Sequence, residues 1–206
     1  MRKKKKILRP TIVPQRWPGE NALTTVRQLN TRCVGLLAAE KTHDDETLSA
    51  LWAQVDARAC ERAGRCPVIL IDLNFQRADW WQRASERSAD PVLTDSARAR
   101  ETDRAVSLVR EILMDAWTIG RTMPRALNLA FGMTSSVSAT IAQLSAPEID
   151  RIATQEARHL RARWPESRSF WKGLLEAAIS TDDQALANVH LHALQLLGSE
   201  TVSRHV

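Results

Sequence analysis

The chain of 206 residues is poor in glycine and has no tyrosine, and it contains none of the short motifs that mark common catalytic sites. With only seven glycines it has no glycine-rich phosphate loop, and it also lacks a Gly-x-Ser-x-Gly elbow and a His-Glu-x-x-His helix. Its acidic residues are scattered over positions that suit helix caps or exposed faces. We therefore expect a protein that is not an enzyme and that needs no cofactor.

Cysteine is also scarce, with Cys33, Cys60 and Cys66 as the three examples. An odd number at these spacings gives neither a disulfide framework nor the paired Cys-x-x-Cys ligands of a zinc site. Cys33 falls on the apolar stripe of a predicted helix, whereas Cys60 and Cys66 flank a turn at Gly64 and would need further ligands to hold a metal. We predict no metal site, and reduced thiols in a reducing compartment, the cytoplasm.

No hydrophobic run is long enough for the core of a signal peptide or for a membrane helix, which needs about twenty apolar residues. The basic start at residues 2–6 is followed by only two apolar residues before Arg9 and Pro10 interrupt the run. We predict that residues 1–19 form a basic, disordered tail. The alternative is a basic arm that adds phosphate contacts to DNA. A membrane partner is not expected.

The sequence does contain a modest excess of positive charge and a large supply of apolar residues. The formal net charge is +5, the pI is about 9.6, and 44% of the residues are hydrophobic, with seven tryptophans among them. The apolar share is sufficient for a sizeable core. The positive balance favours acidic partners such as nucleic acid.

Apolar residues recur at helical spacing through most of the chain, so we predict a mostly α-helical, multi-helix protein. A short strand is predicted near residues 67–73, and no second strand to pair with it is evident in the chain. The apolar face predicted for residues 102–120 is broader than a lone helix can hide, which indicates a subunit or domain interface. The predicted helices span residues 21–39, 44–63, 102–120 and 181–197, the last with a stop at Gly198.

Two short amphipathic helices joined by a tight turn are predicted between residues 132 and 164. Val137, Ile141 and Leu144 recur at spacings of four and three, behind a cap at Thr134 or Ser135. The second helix has a strong start signal, which consists of a capping box and an early proline. The capping box pairs Ser145 with Glu148, and the proline is Pro147.

The second helix is predicted to continue to Trp164, where Pro165 ends it. Arg151, Gln155 and Arg158 then fall on one face and apolar residues on the other. The side chains of arginine and glutamine can form paired hydrogen bonds with the major-groove edges of guanine and adenine. This pattern is therefore compatible with a DNA-binding helix-turn-helix. The alternative is an ordinary surface helix whose arginines are solvated.

Residues 112–164, ILMDAWTIGRTMPRALNLAFGMTSSVSATIAQLSAPEIDRIATQEARHLRARW, resemble the flagellar master regulator FlhD family. That family has a Phe-x-x-Gly or Phe-Gly junction, an apolar helix, a Leu-Ser/Thr-x-Pro turn and a helix containing Leu/Ile-Ala. The matching positions are Ala126, Phe131, Gly132, Val137, Ile141, Ala142, Leu144, Ser145, Pro147, Ile149, Ile152, Ala153 and Arg163.

The resemblance implies a helical, dimer-forming subunit of a transcription activator that works with a second protein, FlhC, at promoter DNA. The chain departs from the family pattern at two positions. Leu160 stands where the family has a cysteine that can link two subunits, and Ala162 stands at an aromatic position. A covalent dimer through that site is therefore excluded, and about a hundred additional residues precede the matching region.

We therefore expect a cytoplasmic DNA-binding transcriptional regulator, an FlhD-like activator subunit that forms a homodimer and acts on double-stranded DNA with an FlhC-like partner protein. The alternative is a helical adaptor that binds a partner protein without touching DNA. The expected regions are the tail (1–19), an N-terminal helical region without an assigned role (20–95), a dimerisation and DNA-binding region (96–178) and a C-terminal helix (179–206). The expected DNA-binding residues are Arg151, Gln155, Arg158, Arg161, Arg163, Thr134, Ser135 and Ser136.

Overall fold

The computed structural model describes residues 19–39, 45–87 and 99–202. The predicted tail up to residue 18 and the predicted boundary between residues 95 and 96 lie outside the described residues. The described part is almost entirely helical, which confirms the mostly α-helical prediction. In chain order the elements are α1 (Glu20–Ala39), α2 (Glu46–Trp52), α3 (Ala57–Gly64), β1 (Ile71–Asp72), α4 (Ala78–Glu86), α5 (Ala99–Thr122), α6 (Pro124–Ala126) with a π-helical turn (Leu127–Phe131), α7 (Ser135–Gln143), α8 (Ala146–Glu156) with a 3₁₀ turn (Ala157–His159), β2 (Arg161–Ala162), α9 (Arg168–Ser180) and α10 (Asp183–Val202).

Local capping chemistry sets where several helices begin. The Asp45 carboxylate accepts hydrogen bonds from the first turn of α2, and Thr134 does the same for α7, as the sequence predicted for the latter. The single helix predicted over residues 44–63 is wrong, because it is broken between α2 and α3. Asp56 causes the break, since its carboxylate accepts from the Ala59 N–H at 2.7 Å and starts a new helix.

The short strand β1 pairs with β2 of the same chain, which corrects the expectation that the chain holds no partner for it. The pairing is antiparallel, with Ile71 opposite Ala162 and Asp72 opposite Arg161. Strand β2 could not be predicted from the sequence, because arginine and alanine are not among the residues that are enriched in strands.

The arginine-bearing helix α8 is shorter than the sequence predicted. It ends at Glu156 instead of Trp164, and a 3₁₀ turn and β2 follow it. Trp164 itself has a φ of 51°, a left-handed conformation that no helix continues through. The predicted stop at Gly198 is also wrong, because α10 continues to Val202.

The broad apolar face of α5 is covered within the chain. Helices α1, α7 and α8 pack on it, so the width of this face is explained without a second subunit. Among the described residues, the large hydrophobic side chains that remain exposed are few and separate in sequence. They are Met114, Met123 and Leu191.

The first half of the chain, α1 to α4, packs against the second half, α5 to α9. Helix α4 lies against α7 and α8, while α9 lies against α2 and α3. Trp171 of α9 packs on Trp52 of α2 with 5.6 Å between the ring centroids. The buried residues of both halves form one continuous core. None of the described helices combines the length and the apolar character that crossing a membrane requires.

Candidate nucleic-acid interface

Helices α7 and α8 form the predicted two-helix unit, with only Leu144 and Ser145 between them. The backbone N–H and the hydroxyl of Ser145 both donate to the Glu148 carboxylate, at 2.7 and 2.6 Å. These bonds lower the pKa of Glu148 and anchor the start of α8. The capping box at Glu148 and the early Pro147 are therefore present as predicted.

Arg151 and Gln155 lie together on α8, but the guanidinium of Arg151 faces the end of α4. The Arg151 guanidinium donates to the carbonyl oxygens of Ala84 and Ser85, each at 2.9 Å. It also lies 3.4 Å from Gln155 Oε1. The orphan carbonyls at the end of a helix need such donors, so the chain itself engages the guanidinium of Arg151.

Arg158 stands on the 3₁₀ turn after α8 and is exposed. Its Nε donates to His159 Nε2 at 3.4 Å, and no carboxylate among the described residues forms an ion pair with it. The His159 ring meets the edge of Trp80 at 5.8 Å. Of the four arginines expected at the site, Arg158 is the one that neither forms an ion pair with a carboxylate nor donates to main-chain carbonyls within the described residues.

Arg161 and Arg163 lie on and just after β2 and have opposite environments. Arg161 is exposed and pairs with Asp72 across the strands at 2.7 Å. Arg163 is 4% exposed and donates to the Phe131 carbonyl at 3.0 Å and to Glu200 at 2.6 Å. Arg163 is thus part of the core, because a buried guanidinium is tolerated only when it is paired.

Glu200 of α10 is a residue that the sequence did not single out. Its carboxylate accepts from Gln76, Arg163 and Trp164, at 3.0, 2.6 and 2.6 Å respectively. This network joins α10 to the loops after β1 and β2. Glu200 lies 36 or more residues from each donor, so no local pattern in the sequence indicates it.

The hydroxyl residues expected near phosphates lie at the start of α7. Thr134 Oγ1 accepts from the Val137 N–H at 3.2 Å and lies 3.0 Å from the Ser136 hydroxyl. Ser135 and Ser136 are exposed. The first-turn amides of a helix favour anions, so this end of α7 is compatible with a phosphate contact.

The cysteines occupy apolar surroundings. Burial raises the pKa of the Cys66 thiol to about 12 and moves that of Cys33 in the same direction. Desolvation likewise raises the pKa of Cys60. All three thiols are therefore protonated at neutral pH. Within the described ranges, no three His, Cys, Asp or Glu residues are grouped to hold a metal ion.

His190 lies on α10 with its Nε2 buried and without a hydrogen-bond partner among the described residues. Desolvation, with smaller contributions from the charges of Arg27 and Arg65, lowers the pKa of His190 below its ordinary value of 6.5. His190 and His192 are two residues apart and therefore lie on different faces of α10.

We expect the free energy of unfolding to fall as the pH falls through about 6.5, because the unfolded chain then binds a proton at His190 more readily than the folded chain. Above this pH both states hold a neutral imidazole and no penalty applies. Urea unfolding at about pH 7.5 and 5.5 measures the difference. His190→Gln should reduce it and the control His192→Gln should retain it; an equal pH dependence in the His190 variant would refute the assignment.

The positive charge of the chain is unevenly distributed. Seven of the 29 lysines and arginines fall in residues 1–19, which contain no Asp or Glu. The remaining residues carry 22 basic against 24 acidic side chains. The whole net excess of positive charge therefore belongs to the first nineteen residues, and the helical body by itself is close to neutral.

Comparisons with protein-family models, curated proteins and solved structures found no match to this chain.

Proposed function

We propose that the protein is a DNA-binding transcriptional regulator in which the basic residues of positions 1–19 supply most of the phosphate contacts. The observation that carries the proposal is the concentration of the positive excess in that segment. Phosphate neutralisation by lysine and arginine provides the sequence-independent part of DNA affinity. The helical body then has the task of positioning this segment and adding contacts of its own.

Within the body, the contacts of the side chains favour Arg158 over the other arginines of the expected face. Its guanidinium is exposed and has no ion pair in the described chain, whereas that of Arg151 is held by the carbonyls of α4. Ser135 and Ser136, exposed at the start of α7, suit additional phosphate contacts. We keep the FlhD-like role at promoters, with an FlhC-like partner protein, as part of this proposal.

Replacing Lys3–Lys6 with glutamine is expected to weaken DNA binding and to flatten its salt dependence. Each phosphate contact contributes about 0.9 to the slope of log affinity against log salt, so the loss of four contacts lowers the slope by about 3 to 4. Fluorescence anisotropy with labelled duplex DNA across a salt series measures this. A variant that retains both the affinity and the slope would contradict a role for this segment.

Replacing Arg158 with alanine is expected to cost about 1–3 kcal/mol of binding free energy if this side chain reads a base, and less if it meets a phosphate. The matched control is Arg83→Ala, because Arg83 is also exposed but is already paired with Asp79 at 2.8 Å. Equal affinities of the two variants for the same duplex would remove Arg158 from the interface.

The second candidate is the adaptor that binds a partner protein without touching DNA. The near neutrality of the helical body favours it. The salt dependence of binding distinguishes the two candidates. The affinity of an apolar subunit interface changes little with salt concentration, whereas affinity that depends on phosphate contacts falls steeply as salt is added. Absence of salt-sensitive DNA binding by the full chain, together with salt-resistant capture of a partner, would replace the regulator by the adaptor.

A further inference from the structure

The order of elements in the first half of the chain is repeated in the second half. Helices α1, α2 and α3, strand β1 and helix α4 are followed by α5, α7, α8, β2 and α9 in the same sequence of types, with α6 and its π-helical turn inserted between α5 and α7. Two helix N-caps in each half mark the repeat. Asp45 and Asp56 start α2 and α3, while Thr134 and Ser145 start α7 and α8. Both pairs of caps are eleven residues apart.

The same apolar spacing follows the first cap in each half. Leu48, Trp52 and Val55 recur at intervals of four and three, as do the stripe residues of α7 and its C-cap, residues 137, 141 and 144. All of them belong to the core or pack against it. The two-helix units α2–α3 and α7–α8 are therefore built on one pattern.

The segments after the strands share an unusual backbone. Asn74 and Trp164 have φ values of 53° and 51°, and each is the fourth residue counted from the start of its strand. Seven residues later stand Trp81 and Trp171. Their indole N–H groups both donate to main-chain oxygens of these turns, Trp81 to Asn74 at 3.1 Å and Trp171 to Arg163 at 2.8 Å.

The strand pairing obeys two-fold symmetry. In the repeat, Ile71 of β1 corresponds to Arg161 of β2, and Asp72 corresponds to Ala162. In the sheet, the first residue of each strand pairs with the second residue of the other strand. An antiparallel pair with this register maps onto itself when the two strands are exchanged. The axis of the repeat thus passes between β1 and β2.

The packing across this axis is exchanged between the halves. Arg151, six residues after its cap, holds the carbonyls that end α4 of the other half. Arg62, also six residues after its cap, donates to the carbonyl oxygens of Ala177 and Ala178 in α9, at 3.3 and 3.2 Å. Each two-helix unit therefore clamps the last helix of the opposite half with an equivalent arginine.

The halves differ at their last helices, because α10 packs closely on α9. Phe170 and Gly173 of α9 lie under α10, with the Phe170 ring 5.8 Å from His192 and Gly173 close to Val189. Their counterparts in α4 are the half-buried Trp80 and the exposed Arg83. The side chains that lie under α10 in α9 thus differ from those at the same positions in α4, as expected for two copies of one unit that diverged.

We infer that one chain is the covalent equivalent of a two-fold dimer, in which residues 20–86 occupy the place of a second copy of residues 99–180. The surface that a homodimer of the second half would use is then filled by the first half, and the chain works as a monomer. Where the proposed DNA binding holds, one chain presents two unlike two-helix units to a site that need not be palindromic.

Hydrogen exchange in the full chain tests the exchanged packing. Trp171→Leu should speed amide exchange in residues 46–64 by about tenfold more than in residues 135–156, and Trp81→Leu should do the reverse. The milder Trp171→Phe and Trp81→Phe variants give the same readout if the leucine variants do not fold. Loss of protection confined to the two-helix unit of the mutated half would overturn the inference.

Sedimentation equilibrium of the full chain without DNA tests the stoichiometry. The expected mass is that of one chain, 23.1 kDa, at every concentration measured. A stable two-chain species would overturn the inference. Neither this measurement nor hydrogen exchange involves DNA, so failure of the proposed function leaves both results interpretable.

Discussion

Replacing Arg163 with methionine is expected to lower the free energy of unfolding by about 3–4 kcal/mol. The guanidinium is 4% exposed and bridges the Phe131 carbonyl and Glu200. Removing one partner of a buried ion pair leaves the other charge uncompensated, which costs about 3–5 kcal/mol. Because Glu200 keeps the donors of Gln76 and Trp164, we place the loss in the lower part of that range.

The matched control is Arg161→Met, two residues earlier in the chain. Arg161 pairs with Asp72 on the surface, where its side chain is 59% exposed, and such pairs contribute about 0–1 kcal/mol. Urea unfolding followed by tryptophan fluorescence compares the two variants. Similar losses at both positions would contradict the structural role given to Arg163.

Replacing Gly132 with alanine is expected to lower the free energy of unfolding by about 3 kcal/mol. Its φ of 65° is left-handed, which costs a residue with a Cβ about 1–2 kcal/mol. A Cβ built there would also lie 1.8 Å from an Arg163 Nη atom and 2.9 Å from Leu197, and such overpacking adds about 1–3 kcal/mol. Chemical denaturation measures the combined loss in the free energy of unfolding.

Gly198→Ala is the control for the Gly132 substitution, because a Cβ at this helical position meets nothing within 4 Å. Alanine is the better helix former by about 1 kcal/mol, so stability should rise or stay unchanged. The double variant Gly132→Ala/Arg163→Met should lose less than the sum of the single losses, since the clash needs the guanidinium. Strict additivity would contradict the contact between the two residues.

The sequence was informative where a signal is local. The caps at Thr134 and Ser145 and the stripe of Val137, Ile141 and Leu144 predicted α7 and the start of α8. These depend on residues three or four apart, which carry their own hydrogen bonds and apolar contacts. The mostly helical character followed from the same periodicity along the whole chain.

The end of α8 and the strand β2 were not predictable in this way. The periodicity of arginine and apolar residues continues past Glu156, but pairing with β1 and the left-handed turn at Trp164 override it. The same pairing removes Arg161 and Arg163 from the helix that was expected to continue to Trp164. Tertiary contacts of this kind decide short strands, because a two-residue pair has little propensity of its own.

The sequence predicted an interface on the broad apolar face of α5 and left open whether a second subunit or a domain covers it. An interface was expected, and the surfaces that cover it are α1, α7 and α8 of the same chain. The repeat that brings these helices together was present in the spacing of the caps, yet the two halves share few residues. Leu70 with Leu160, Trp81 with Trp171 and Glu86 with Glu176 are the identities in the strand-to-helix segment 66–87 aligned with 156–177.

The measurement that tests the proposed function most directly is a genome-wide crosslinking map of the native protein. It is run beside a folded variant that combines Lys3–Lys6→Gln with Arg158→Ala. We predict sharp peaks at promoters for the native chain and their loss in the variant, because phosphate and base contacts are removed together. Absence of peaks, or peaks unchanged in the variant, would contradict direct DNA binding by these residues.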